Sequence, residues 1–138
     1  MSADADRLEE ARRRLRYASE DLAAASDMLA HAHGASRHVC WLAQQAAEKA
    51  LKAALIFLQV DFPWRHDLDA LRDLLPAGWQ VKEDAPDLAG LTEWAVAARY
   101  PTDLPDATSA DAEAALRQAS AVYEAVAADL RWHEGYFT

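Results

Sequence analysis

One of the 138 residues is cysteine, four are glycine and five are proline. A lone Cys40 excludes an internal disulfide and fits a reducing compartment, so a cytoplasmic location is expected. Scarce glycine and proline exclude a loop-rich or collagen-like chain and leave short connections between regular elements. Positive charge is also in deficit. Fourteen Lys and Arg against 23 Asp and Glu leave a net charge of −9, which excludes an extended nucleic-acid surface but still permits a local basic pocket. No apolar run approaches the ~18 residues that a membrane span needs. The opening "MSADADRLEE" lacks the basic and apolar regions of a signal peptide. No segment alternates β-branched and polar residues, so no strand is expected. Neither an internal repeat nor a linker divides the chain, which reads as one domain over residues 1–138.

What remains is helical periodicity in an alanine-rich chain. Leu8, Ala11, Leu15, Ala18, Leu22, Ala25 and Leu29 recur at three- and four-residue steps, which predicts a long helix over about 5–31. Gly34 punctuates its end, and Ser36 is an N-cap for a second helix that "VDFP" stops near Val60. "HDLDALRDLLP" predicts a short helix with Asp67 at its start and Pro76 closing it. Asp84 and Pro86 open a further helix through "DLAGLTEWAVAAR", ended by Pro101. Thr108 and Asp111 form a capping box for the last helix, whose stripe runs from Ala112 to Leu130. The expected fold is all-α: an antiparallel up-and-down bundle of about four main helices plus a short extra one.

The second helix holds the most chemical information. Leu42, Ala43, Ala46, Ala47, Ala50, Ala53, Ala54 and Phe57 fill one apolar arc, with Leu51 and Leu58 at its edge. The opposite side carries Trp41, Gln45, Glu48, Lys52, Leu55, Ile56 and Gln59, mixing large apolar groups with hydrogen-bonding ones. Interfaces favour that mixture, so Trp41, Gln45, Glu48, Lys52, Leu55 and Ile56 are read as a homodimer contact. The alternative is packing against another helix of the same chain, with Glu48 and Lys52 as an i,i+4 surface pair.

Other residues invite chemistry and meet simpler accounts. His31, His33, His38 and Cys40 cluster at a turn, but their spacing matches no zinc pattern, and no metal or cofactor is expected. "RRRLR" at 12–16 is basic, yet Glu9 with Arg13, Glu10 with Arg14, and Arg16 with Glu20 stand at i,i+4, which predicts a solvated ion-paired face. Five tryptophans mark either bulky core positions or a partner surface; only Trp94 falls on a core stripe. Arg99 lies beside Leu88 and Ala95 on its helical wheel. It either meets the C-terminal carbonyls of its own helix or contacts an anion, with Tyr100 supplying a ring for stacking. Lys49, Lys52 and His66 are further candidates for a nucleotide or anion contact.

"CWLAQQAAEKALKAAL" (40–55), "HDLDAL" (66–71) and "ARYP" (98–101), in this order, resemble the HEPN domain over nearly the whole chain. The resemblance implies an all-α bundle that forms homodimers. It also implies pairing with a minimal nucleotidyltransferase in a toxin–antitoxin-like module, or, in other branches, a metal-independent ribonuclease using Arg followed four to six residues later by His. Here Arg99 is followed by Tyr100, Pro101, Thr102, Asp103, Leu104, Pro105 and Asp106. No histidine stands in the window to move a proton. The expectation is therefore a non-catalytic, dimeric partner of a minimal nucleotidyltransferase with nucleotide-binding capacity around Lys49, Lys52, His66, Arg99 and Tyr100. The alternatives are a divergent ribonuclease or toxin using Arg99 with His66 or Asp103, and a purely structural oligomerisation module.

Overall fold

The computed structural model describes residues 3–31, 36–63, 67–97 and 106–134. Among the described residues six helices follow one another: α1 (Ala3–Ala30), α2 (Ser36–Leu58), α3 (Leu68–Asp73), α4 (Gln80–Asp84), α5 (Ala89–Ala97) and α6 (Ser109–Glu134). There is no strand among the described residues. The three long helices of 28, 23 and 26 residues pack on one another, and α2 also meets α3 and α5. The protein is an all-α helical bundle.

Side-chain pairs fix the directions. Arg7 donates to the Phe57 carbonyl, and Lys49 meets Asp21, so α1 and α2 run antiparallel. Phe57 meets His133 at the other helix pair, and Cys40 lies near Asp111, so α6 runs parallel to α2. The shorter α3–α5 leg carries the chain back between them.

The alanines decide how closely the long helices approach. In α1, Ala11, Ala18 and Ala25 are the fully buried row, while Leu8, Leu15, Leu22 and Leu29 are half-buried beside it. Seven-residue spacing keeps each row on one face. Ala43, Ala46, Ala47, Ala50, Ala53 and Ala54 of α2 are each fully buried, so small side chains sit at the seam and leucines flank it.

The ends are capped largely as the sequence predicts. The Asp111 N–H donates to Thr108 Oγ1 at 3.1 Å, and the Thr108 N–H donates to Asp111 Oδ2 at 2.9 Å, a reciprocal box. Asp67 Oδ1 accepts the Ala70 N–H at 3.1 Å at the start of α3. The region expected to open a helix at Asp84 is different. Asp84 is the last residue of α4, which the sequence periodicity does not reveal, and α5 begins only at Ala89. The reason is tertiary: Asp129 of α6 accepts the N–H groups of Gln80 at 3.1 Å and Val81 at 3.3 Å, capping α4 from outside.

Arg72 closes the α3–α5 leg. Its guanidinium, 8% exposed, donates to Asp69 Oδ1 at 2.5 Å, to the Ala85 carbonyl at 2.8 Å and to Asp73 Oδ1 at 3.0 Å. Asp69 Oδ1 also accepts the Leu88 N–H at 2.8 Å. Thr92 adds a second tie, accepting the Leu68 N–H at 3.1 Å while donating to the Leu88 carbonyl at 2.9 Å.

Candidate functional site

A polar ladder runs through the buried length of α2. Gln45 Nε2 donates to Gln44 Oε1 at 2.7 Å, Gln44 Nε2 to Glu48 Oε1 at 3.1 Å, and Lys52 Nζ to Glu48 Oε2 at 3.1 Å. Gln44, Glu48 and Lys52 follow the helical i,i+4 step, which stacks them on one face, and Gln45 joins from the adjacent position. Gln44 is fully buried, Glu48 is 7% exposed and Lys52 is 8% exposed. The Lys52 ammonium also lies 5.5 Å from the centre of the Phe62 ring, a cation–π contact that ties the segment after α2 to the ladder. A buried carboxylate and a buried ammonium cancel each other's charge. Removing either would take the opposite charge away from a buried ion.

The six positions read as a subunit contact are therefore divided. Glu48, Lys52 and Leu55 are buried within the chain, whereas Gln45 and Ile56 are half-buried and Trp41 is 38% exposed. A wheel groups side chains by direction; it does not show that α2 packs on α1, α3, α5 and α6, nor that the middle of this face is buried.

Lys49 and Lys52 do not converge. Lys49 Nζ pairs with Asp21 Oδ2 of α1 at 2.5 Å, while Lys52 belongs to the internal ladder. His66, Arg99 and Tyr100 lie outside the described residues, as do Trp64 and His33. Gln44 was not among the residues expected at the site. Its signal was available: a glutamine at the border of the apolar arc, one helical turn before Glu48, has a polar partner within reach on its own helix.

The connection between α1 and α2, with His33, lies outside the described residues; His31 and His38 flank it. His31 Nδ1 lies 2.9 Å from the Asp27 carbonyl and 3.2 Å from Asp27 Oδ1, and His38 is exposed. Among the described residues no group of three or more His, Cys, Asp or Glu is placed to hold a metal ion. Nor is any helix there long and apolar enough to cross a membrane. The basic run of α1 is ion-paired along its own helix: Arg13 with Glu9 at 3.7 Å and with Glu10, Arg14 with Glu10 at 3.0 Å, and Arg16 with Glu20 at 3.9 Å. Of the tryptophans, Trp79 is core at 4% exposure, Trp94 is half-buried and Trp132 is 67% exposed.

Cys40 is fully buried. Burial pushes its thiol up from the ordinary 9.0 to about 11, and the Asp111 carboxylate adds to the rise. A thiol of that acidity is ~0.1% thiolate at pH 8. The native protein is expected not to react with a thiol-specific disulfide reagent at pH 8, and to react fully in denaturant. Because the folded pKa lies above the unfolded one, the unfolded chain loses its proton first. Folding stability should accordingly fall as pH rises from about 9 to about 11, which urea titrations at stepped pH would show, and a Cys40→Ala variant should lose that slope.

The family model of the HEPN domain matches residues 11–130. The chain belongs to the HEPN domain family. No curated protein and no solved structure matches it. Within this HEPN domain, the match runs from the first buried alanine of α1 to Leu130 of α6, so all six helices fall inside it at least in part.

Proposed function

We propose that this HEPN domain is a non-catalytic, homodimeric binding subunit that partners a minimal nucleotidyltransferase in a toxin–antitoxin-like pair. The observation that carries the non-catalytic part is the sequence after Arg99, in which the next histidine is His133. That histidine is occupied in packing: its ring stacks on Trp79 with centroids 4.9 Å apart and meets Phe57 at 6.4 Å. An arginine without a nearby proton carrier stabilises a phosphate but does not move a proton. Arg99 and Tyr100 are assigned to an anion or nucleotide contact, with Lys52 the candidate cation on α2. Lys49, held by Asp21, and His66 stand as further candidates. The exposed Trp41 with half-buried Gln45 and Ile56 supports a subunit contact along α2.

The test is direct. Structured RNA incubated with the purified protein and with an Arg99→Ala control should remain intact in both. Cleavage by the parent protein that disappears in the control overturns the proposal and makes the chain a ribonuclease. Light scattering should give twice the 15.2 kDa chain mass; a monomer at all concentrations removes the dimer. A minimal nucleotidyltransferase in the adjacent reading frame that copurifies with this chain would support the pairing, and failure to copurify would count against it.

A further inference from the structure

We propose that the α2 ladder fixes Gln45 as a hydrogen-bond acceptor on the subunit contact, and that the donor it receives is the Trp41 indole N–H of a second copy of the chain. This proposal rests on the homodimer reading above and names the atoms that join the two copies.

The ladder has a direction, set from its buried end. A carboxylate has no hydrogen to give. Glu48 therefore requires the Gln44 amide to present Nε2, which donates to Glu48 Oε1 at 3.1 Å, while Glu48 Oε2 accepts from Lys52 Nζ at 3.1 Å. With Nε2 turned to Glu48, the fully buried Gln44 shows Oε1 on its other side. That oxygen accepts Gln45 Nε2 at 2.7 Å. Reversing either amide, or both, would set oxygen against oxygen in a place where a lost hydrogen bond is costly. Gln45 is thus left with Oε1 as the group it can offer outward. The residue is half-buried, and this oxygen has no donor among the described residues.

Trp41 supplies the complementary half. It stands one helical turn before Gln45, on the same face, and is 38% exposed. Its indole is a donor only, and it has no hydrogen-bond or ring partner among the described residues. One donor and one acceptor a turn apart make a patch that complements itself. A two-fold axis passing midway between the two positions sets two α2 helices antiparallel, so that position 41 of each opposes position 45 of the other. Two identical indole-to-amide bonds then form while both rings lose contact with water, the arrangement that suits a tryptophan at an interface. A phosphate is the wrong occupant here, because it brings acceptors to an acceptor.

The test combines light scattering over a dilution series with ¹⁵N NMR of the full chain. As the protein is concentrated, one of the five tryptophan indole signals, identified by its absence from Trp41→Phe, should move downfield. The same signal should stay fixed in Gln45→Met. Trp41→Phe keeps an aromatic ring but loses the N–H, and Gln45→Met keeps the length but loses the oxygen. Each should weaken the dimer about tenfold, since two bonds are lost per pair. Because both variants remove the same bonds, their combination should also weaken it about tenfold rather than about a hundredfold. A parent protein that stays monomeric overturns the homodimer reading and this contact with it. A parent dimer that Trp41→Phe leaves unweakened, additive losses in the combined variant, or an indole signal that still moves in Gln45→Met would overturn the contact and leave the dimer standing.

Discussion

Replacing Arg72 by alanine is expected to destabilise the protein by about 3 kcal/mol, measured as a lower urea midpoint at unchanged slope. The size follows from what the guanidinium does. Arg72 is 8% exposed and ties α3, through Asp69 and the helix's last residue Asp73, to the Ala85 carbonyl beyond α4. Loss of the side chain leaves the buried Ala85 carbonyl without that donor. It also leaves Asp69 with its charge uncompensated while still holding the Leu88 N–H. The Asp73 contact contributes little, because that carboxylate is 66% exposed and exposed pairs are worth about 0–1 kcal/mol. Asp73→Ala should therefore change stability by less than about 0.5 kcal/mol. Arg72→Lys should recover only part of the loss, since one ammonium cannot reproduce a planar fork reaching two acceptors on different segments. A loss in Asp73→Ala as large as that in Arg72→Ala would contradict this account.

The same arginine marks where sequence reasoning runs out. Elements with their own periodicity and local caps were legible: the long stripes of α1, α2 and α6, Asp67 at α3, and the Thr108–Asp111 box. Each depends on residues three or four apart. The α4 helix was not legible, because its five residues are too few to show a period and its cap comes from Asp129, some fifty positions away in the chain. "DAPD" has the composition of a helix start, and it serves instead as the connection that Arg72 and Asp69 hold down. Tertiary partners overrode the local signal.

The candidate site was half legible for a related reason. The mixed face of α2 stood out because large apolar groups such as Trp41 and Ile56 share the side opposite the apolar arc with Gln45, Glu48 and Lys52. A helical wheel states which side chains share a direction; it does not state how many neighbours that direction meets. Because α2 is the central helix, packed on α1, α3, α5 and α6, the middle of its polar face is interior. Its ends, at Trp41 and at Gln59 and Asp61, reach solvent. Arg99 and Tyr100 stood out at a helix end and again in the family motif, while the features that the described structure makes specific are Gln44 and the ladder below it.

The ladder yields the second large effect. Lys52→Met is expected to cost about 3 kcal/mol, because the methionine stem fills most of the space while the Glu48 carboxylate, 7% exposed, loses its ammonium at 3.1 Å. Gln44 continues to donate to Glu48 at 3.1 Å, but a neutral amide donor does not replace the charge of the lost ammonium. Adding Glu48→Gln to Lys52→Met removes that charge and keeps an amide oxygen for Gln44. The double variant should therefore be more stable than Lys52→Met alone, with a coupling of at least about 1 kcal/mol in the double-mutant cycle. Strictly additive losses would show that the two charges act independently. The double variant also separates the two roles assigned to Lys52. A stable Glu48→Gln/Lys52→Met protein that still binds nucleotide like the parent would confine Lys52 to the fold. One that folds but binds at least about tenfold more weakly would place its ammonium at the nucleotide, with Glu48 holding it in position until the ligand arrives.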